Sequence, residues 1–179
     1  ASVRQHYRVR LGAPLAQLTA PQAPRDPVRF VVGGLFRGYG AAPEGFMGLY
    51  ETALNIVPAG GRAEFLALFD PGVGRHSYSR TFASKLNPAK LVYDCNLHGD
   101  RRACIACMHC ADVCPVEMLP QMVFKAIQAE EVEEYLELGL LDCVECGLCS
   151  YVCPSKIELS QTFIATKAAY AKEQGRKSE

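Results

Sequence analysis

The strongest constraint on this sequence is a pair of matching cysteine runs, each reading C-x2-C-x2-C-x3-C-P. The first run contains Cys104, Cys107, Cys110 and Cys114 and is closed by Pro115; the second contains Cys143, Cys146, Cys149 and Cys153 and is closed by Pro154. The second run repeats the first with every cysteine displaced by 39 residues. The fold of residues 104–153 must therefore hold eight thiols at defined positions in space.

This spacing is that of the bacterial ferredoxin run, which holds [4Fe–4S] clusters. Three closely spaced thiolates can bind one face of a cuboidal cluster, and the fourth cysteine of a run ligates the other cluster in two-cluster proteins. The sequence therefore predicts two [4Fe–4S] clusters with crossed ligands. Cluster 1 would be held by Cys104, Cys107, Cys110 and Cys153, and cluster 2 by Cys143, Cys146, Cys149 and Cys114.

Zinc and disulfides are the two alternative uses of these cysteines. Structural zinc usually takes its four thiolates from two separated C-x2-C pairs, and a run of four cysteines with a trailing proline suits it poorly. Disulfide frameworks belong mainly to short secreted chains, and the start of this sequence has no recognisable signal peptide. We therefore expect metal-bound thiols in a reducing compartment. Because the sequence begins with Ala1 rather than Met, we interpret it as a processed form or a fragment.

Four further residues near the runs invite an interpretation. His109 lies between two predicted ligands and is interpreted as a polar neighbour that tunes a cluster potential, with direct iron binding as the alternative. Cys95 lies outside both runs and is predicted to be a buried thiol, with a cluster contact as the alternative. Arg101 and Arg102 precede the first run, where their charge would stabilise a reduced cluster or simply lie at the surface.

Apolar residues at helical spacing predict helices over 119–128, 130–141 and 155–175. The apolar face of the first consists of Leu119, Met122, Val123, Ala126 and Ile127. Gly139 and Gly175 are predicted to end the second and third helices. The connection between the cysteine runs thus has room for about two helices, which favours an all-helical ferredoxin-type module.

The preceding part of the chain has a different character. Strand patterns occur at 30–32 and within 52–61, a short helix is predicted at 62–72, and 79–88 fits a helix or a strand. The glycines at 33, 34, 38 and 40 lack the G-x-G-x-x-G spacing of a dinucleotide-binding loop.

The charge of the chain also differs between its two parts. Lys and Arg outnumber Asp and Glu by six in residues 1–103, whereas Asp and Glu outnumber Lys and Arg by six in residues 104–179. This division favours two modules.

Together these patterns predict an α+β chain, with a small β-containing N-terminal segment followed by an all-helical two-cluster [4Fe–4S] ferredoxin-type domain. The predicted parts are 1–26 (linker or N-terminal extension), 27–94 (α+β segment), 95–175 (helical ferredoxin-type domain) and 176–179 (tail). A direct membrane span is not expected, since no run of about 18 apolar residues occurs.

Two parts of the sequence resemble known families. CADVCPVEMLPQMVFKAI (110–127) and DCVECGLCSYVCPSKIEL (142–159) resemble the C-terminal ferredoxin segment of the C subunit of the Rnf electron-transport complex. Upstream, RFVVGGLFRGYG, ETALNIVPAGGRAEFLALFDPGVGRHSYSRTF and NLHGDRRAC resemble the late part of the A subunit of the Na⁺-translocating NADH:quinone oxidoreductase. The sequence departs from the well-studied forms of that A subunit, which lack the cysteine runs.

The resemblance implies a peripheral subunit on the cytoplasmic face of the inner membrane, in an ion-translocating NADH:quinone (or NADH:ferredoxin) oxidoreductase. Its partners would be the other subunits and, if the chain is a fragment, redox domains upstream; no nucleic acid is expected. The implied role is one-electron transfer, with no catalytic site of its own visible in the sequence. The alternatives are an iron–sulfur subunit of a soluble, heterodisulfide-reductase-like oxidoreductase and a structural subunit that its metal stabilises.

Overall fold

A computed structural model of the chain describes residues 6–19, 27–61, 83–86, 95–96 and 101–177. By its internal contacts the chain divides into two compact units. The first unit comprises Ala1–Phe65 and Val92–His98, and the second comprises Leu66–Leu91 and Gly99–Glu179. The first contains a small sheet and the second is helical in residues 101–177, so the predicted α+β class is confirmed.

A three-stranded antiparallel sheet forms the centre of the first unit. Strand β1 (Val28–Val32) lies between β2 (Tyr39–Ala41) and β3 (Leu54–Pro58). Burial alternates at the end of β1, where Phe30 and Val32 are buried, as a strand with one face on a core requires. Both predicted strands are confirmed. The sequence pattern does not reveal β2, because three residues with a central glycine give no period-two signal.

A short helix, α1 (Leu15–Thr19), completes the core of this unit. Leu15 is fully buried in a cluster with Phe30 and Val32, and the Thr19 hydroxyl donates to the Leu15 carbonyl at 3.1 Å. The helix lies in a proline-rich stretch that the sequence indicates as linker. Because a five-residue helix is too short to be stable alone, its formation depends on the burial of Leu15.

The turn between β1 and β2 requires glycine at two positions. Gly33 has a φ of +90°, and its carbonyl oxygen accepts a hydrogen bond from Asn55 Nδ2 at 2.6 Å. The Gly38 N–H donates to the Gly34 carbonyl at 2.6 Å, and a Cβ at Gly38 would lie 2.4 Å from the Val32 carbonyl oxygen. These constraints account for Gly33 and Gly38 by turn geometry.

The second unit is built from helices that follow one another closely. They are α2 (His109–Asp112), α3 (Pro120–Gln128), α4 (Val132–Glu137), α5 (Leu148–Val152) and α6 (Leu159–Lys177), with a 3₁₀ turn at Leu140–Asp142 between α4 and α5. The predicted helix over 119–128 is confirmed as α3. Gly139, at a φ of +87°, follows α4 as predicted, since a left-handed residue after a helix is most easily a glycine.

The core of the second unit includes side chains from α3, α4 and α6. Its buried members include Val123, Ala126, Tyr135, Leu140 and Phe163. The predicted apolar face of α3 is only partly right, because Leu119 and Met122 are 41% and 38% exposed. Pro120 and Gln121 take buried positions instead, which rotates the buried face of α3 towards the cysteine runs.

Helix α6 differs from its predicted bounds at both ends. It begins at Leu159 rather than at residue 155, because Pro154 is followed by a turn in which Lys156 has a φ of +58°. It also continues past Gly175 to Lys177. Glycine within an exposed helix costs about 1 kcal/mol relative to alanine, which a helix of 19 residues tolerates near its end.

Two predicted elements of the N-terminal half fall wholly or mostly outside the described residues. The helix at 62–72 lies outside the described residues, as does most of 79–88, within which Ala83–Leu86 forms a 3₁₀ turn. Among the helices that are described, none combines the length and apolar character that crossing a bilayer requires.

Candidate iron–sulfur site

The two cysteine runs adopt the same backbone conformation. Left-handed φ angles recur in pairs separated by 39 positions, namely Ala106 with Glu145, Met108 with Gly147, and Glu117 with Lys156. Helices α2 and α5 begin at equivalent positions, as do α3 and α6. The repeat visible in the cysteines therefore extends through the turns and helix starts that position them.

The turn after each fourth cysteine is closed by one backbone hydrogen bond. The Glu117 N–H donates to the Cys114 carbonyl at 3.2 Å, and the Lys156 N–H donates to the Cys153 carbonyl at 3.1 Å. Proline directly follows each of these cysteines and cannot donate through its own nitrogen. As a result the chain turns sharply after Cys114 and Cys153 and enters the next long helix.

Three cysteines of the first run and one of the second line a common cavity, here called cavity 1. These are Cys104, Cys107, Cys110 and Cys153. The cavity encloses an empty volume of about 350 Å³, part of it open to solvent, and Pro154 also lines it. The structure thus brings together the four residues that the sequence assigns to cluster 1.

The remaining four cysteines line a second cavity, here called cavity 2. These are Cys143, Cys146, Cys149 and Cys114. Its empty volume is about 320 Å³, also partly open, and Pro115 lines it as Pro154 lines cavity 1. The two cavities are related by the 39-residue repeat, with the fourth cysteine exchanged between the runs.

Two hydrogen bonds hold the end of the second run against the start of the first. The Ser155 hydroxyl donates to the Ala103 carbonyl at 2.8 Å, and the Arg102 N–H donates to the Ser155 carbonyl at 3.0 Å. Ser155 is buried, so these bonds are protected from competing water. They explain how Cys153 reaches the cavity that begins at Cys104.

All nine cysteines have free thiols, and three of the eight cysteines in the runs have a raised pKa. Burial raises the pKa of Cys149 to about 12, and it also raises the pKa of Cys110 and of Cys143. Removal from water disfavours a thiolate unless a positive group compensates its charge. Iron ligation requires the thiolate form, so bound iron would supply positive charge to these sulfurs, and at Cys143 the Lys167 ammonium group also acts to lower the pKa.

The donor set of each cavity fits a [4Fe–4S] cluster, which takes four cysteine thiolates. In each cavity the four sulfurs line a common space. Across 101–177 and the other described ranges, no three Cys, His, Asp or Glu side chains are grouped so as to hold a single metal ion. The fit to the cluster therefore depends on the four-thiol lining of each cavity.

Neither His109 nor Cys95 is among the residues that line the two cavities. His109 lines neither; its Nδ1 is 3.9 Å from Asp112 Oδ2, and its Nε2 is buried without a hydrogen-bond partner among the described residues. Cys95 is half-buried and belongs to the first unit, where a Cβ on Gly60 would lie 2.0 Å from its carbonyl oxygen. The lining of the cavities thus gives no support to direct iron binding by His109.

The two arginines before the first run have different environments. The Arg101 guanidinium forms an ion pair with the Glu158 carboxylate, and both side chains are more than half exposed. Arg102 contributes its backbone N–H to the bond with Ser155. For Arg101 the geometry favours the surface-charge interpretation over stabilisation of a reduced cluster.

Gln121 and Lys167 are site residues that the sequence pattern does not identify. Gln121 is buried and lines cavity 1. The Lys167 Nζ donates to the Cys143 carbonyl at 2.9 Å and to Glu145 Oε1 at 2.7 Å. The 39-residue repeat makes Gln121 equivalent to Ser160, which lines cavity 2, but the sequence alone marks neither position.

Comparison with protein-family models identifies the segment that carries both runs. Residues 103–157 match the family described as the 4Fe-4S dicluster domain. The chain contains a 4Fe-4S dicluster domain of the ferredoxin type. This match supports an iron–sulfur electron-transfer role for the chain.

Curated proteins similar to this chain are named as the A subunit of the Na⁺-translocating NADH-quinone reductase. The protein of Hahella chejuensis is 31% identical over 155 residues, covering 84% of this chain and 35% of that protein. The proteins of Psychromonas ingrahamii and Rhodopirellula baltica are 29% and 30% identical, covering 96% and 83% of this chain and 38% and 34% of their own lengths. The chain thus spans little more than a third of these relatives.

Proposed function

We propose that the chain is an electron-transfer module with two [4Fe–4S] clusters. Cys104, Cys107, Cys110 and Cys153 would hold cluster 1, and Cys143, Cys146, Cys149 and Cys114 would hold cluster 2. The observation that carries this proposal is the lining of each cavity by three cysteines of one run and the fourth of the other. When bound, such clusters accept and donate single electrons at potentials that the protein sets.

The residues around the cavities supply what such a cofactor needs from a protein. Buried side chains, including Leu159 at cavity 1 and Phe163 at cavity 2, limit the access of water. The Glu145 N–H donates to the Cys143 sulfur at 3.4 Å. Hydrogen bonds to ligand sulfurs and burial are the means by which a protein tunes a cluster potential.

The proposed setting is a membrane-associated, ion-translocating NADH:quinone (or NADH:ferredoxin) oxidoreductase. The names of the similar proteins support it, as does the resemblance of residues 110–127 and 142–159 to the C subunit of the Rnf complex. In this setting the partners are other subunits of the complex and upstream redox domains, and the module lies on the cytoplasmic face of the inner membrane. We further propose that the iron–sulfur domain occupies residues 95–175, although contacts group Val92–His98 with the first unit.

Anaerobic purification followed by iron and sulfide analysis tests the cluster content. We expect about eight irons and eight sulfides per chain, and EPR signals of two magnetically interacting clusters after reduction. A preparation that contained zinc alone would contradict the proposal. Clusters that remained redox-silent between about −700 and +450 mV would instead favour a structural role.

A further inference from the structure

Gln121 connects two residues of the first cysteine run through its side-chain amide. It is the second residue of α3, is 6% exposed, and lines cavity 1. The Cys110 thiol donates to Gln121 Oε1 with a sulfur–oxygen distance of 3.3 Å. Gln121 Nε2 donates to the Met108 sulfur at 2.9 Å. A buried amide thus touches a predicted ligand sulfur directly.

This arrangement suits a thiol but not a thiolate. When Cys110 binds iron it loses its proton, and its sulfur can then only accept hydrogen bonds. The Gln121 oxygen would then face a negative sulfur with no proton between them. A half-turn of the amide exchanges its oxygen and nitrogen, because the two ends have nearly the same shape. The exchange gives up only the bond to Met108, whose thioether sulfur is a weak acceptor.

We propose that Gln121 Nε2 donates a hydrogen bond to the Cys110 sulfur when cluster 1 is bound, and that this bond raises the midpoint potential of cluster 1. The inference rests on the proposed function, since it requires a cluster ligated by Cys110. A hydrogen bond to a ligand sulfur stabilises the reduced, more negative form of a cluster. The proton that Cys110 releases passes to solvent, and no electrons are transferred in this rearrangement.

The second run differs at the equivalent position. Ser160 replaces Gln121 in the repeat and lines cavity 2, and its backbone N–H donates to the Ser150 hydroxyl at 2.8 Å. Its side chain carries a hydroxyl group rather than an amide and is shorter. The proposed bond is therefore particular to cluster 1, and removing the amide should affect one cluster and leave the other unchanged.

The test compares the wild-type chain with Gln121→Leu and with the control Gln128→Leu, which changes an exposed residue at the other end of α3. Each protein is purified anaerobically, analysed for iron, and titrated while EPR follows both clusters. Pulsed EPR on protein labelled with ¹⁵N-glutamine detects an amide nitrogen close to a reduced cluster. We expect full iron content in all three proteins. The potential of one cluster should fall and the ¹⁵N coupling should be lost only in Gln121→Leu.

The possible results separate this inference from the proposed function. Full iron content in Gln121→Leu with unchanged potentials would overturn the inference and leave the proposed function intact. A wild-type protein without [4Fe–4S] clusters would overturn both. If Gln121→Leu fails to bind the clusters, the wild-type protein with its clusters still tests the proposed hydrogen bond. The absence of any ¹⁵N coupling from a glutamine amide would refute that bond.

Discussion

The Nζ atom of Lys167 lies 2.7 Å from Oε1 of Glu145, and the two residues form an ion pair across 22 positions of sequence. Lys167 lies on α6, and Glu145 lies inside the second cysteine run with a φ of +56°. The same ammonium group donates to the Cys143 carbonyl at 2.9 Å. One side chain of α6 therefore holds the first loop of the second run in place.

Substitution of Lys167 by Met should weaken this attachment. We expect the free energy of unfolding to fall by about 1–2 kcal/mol, because a charged hydrogen bond to a backbone carbonyl is lost together with a partly exposed ion pair. Denaturant titration under anaerobic conditions measures this change. Lys172→Met, at an exposed position of the same helix, serves as control and should have little effect. Equal stability of both variants would contradict an anchoring role for Lys167.

Paired cysteine substitutions should reveal the proposed crossing of ligands. If Cys104 and Cys153 hold the same cluster, the variant C104A/C153A should retain about as much iron as either single variant, roughly half of the wild-type content. C104A/C114A should lose nearly all iron, because each substitution removes a ligand from a different cluster. Iron analysis after anaerobic purification measures both. The reverse pattern would show that each run closes on its own cluster.

Two adjacent residues of α6 should differ sharply in their effect on stability. Phe163 is fully buried and lines cavity 2, whereas Ile164 is 42% exposed. We expect Phe163→Ala to cost about 3–5 kcal/mol, as large-to-small substitutions in a core do, and Ile164→Ala to cost less than about 1 kcal/mol. Anaerobic denaturation compares them. Similar losses for the two variants would mean that α6 is rotated from the orientation described.

Alkylation of the metal-free chain should distinguish exposed from buried thiols. Cys104 is exposed, whereas Cys149 is buried and its pKa is raised to about 12. Because the thiolate is the reactive form, we expect Cys104 to react early and Cys149 late at neutral pH. The rate at Cys149 should rise about tenfold per pH unit between about pH 7 and 10, where its thiolate fraction grows in that proportion.

Mass spectrometry of peptides from a time course with iodoacetamide measures these rates. The same chain in denaturant provides the control, since all eight cysteines of the runs should then react at similar rates. Equal rates at Cys104 and Cys149 in the folded chain would contradict the burial of Cys149.

The cysteine spacing was sufficient to predict which four thiols share each cavity. The third cysteine of each run lies in the first turn of a short helix and the trailing cysteine follows the end of that helix, so the trailing thiol is directed to the other cavity. The helix over 119–128 could likewise be predicted, from the spacing of its apolar residues. That period did not identify the buried face, since Leu119 and Met122 fit the same spacing as Val123 and Ala126. Only packing against the cysteine runs determines that the face with Val123 and Ala126 is buried and that the face with Leu119 and Met122 is exposed.

Gln121 and Lys167 show a second limit of the sequence. A glutamine or a lysine on a helix is ordinarily exposed, and nothing in the neighbouring residues indicates otherwise. Their roles arise from contacts across 11 and 22 positions, which appear only when the helices pack. The helix Leu15–Thr19 was hidden for a related reason, because the residues that bury Leu15 come from a later strand.

Cys104 is exposed at cavity 1, whereas the four cysteines of cavity 2 are half-buried or buried. Ile105, which also lines cavity 1, is 52% exposed. Dioxygen diffusing from solvent therefore meets a less shielded sulfur at cavity 1 than at cavity 2. We expect damage during handling in air to begin at cluster 1, so that a partly degraded preparation would be enriched in molecules that keep only cluster 2.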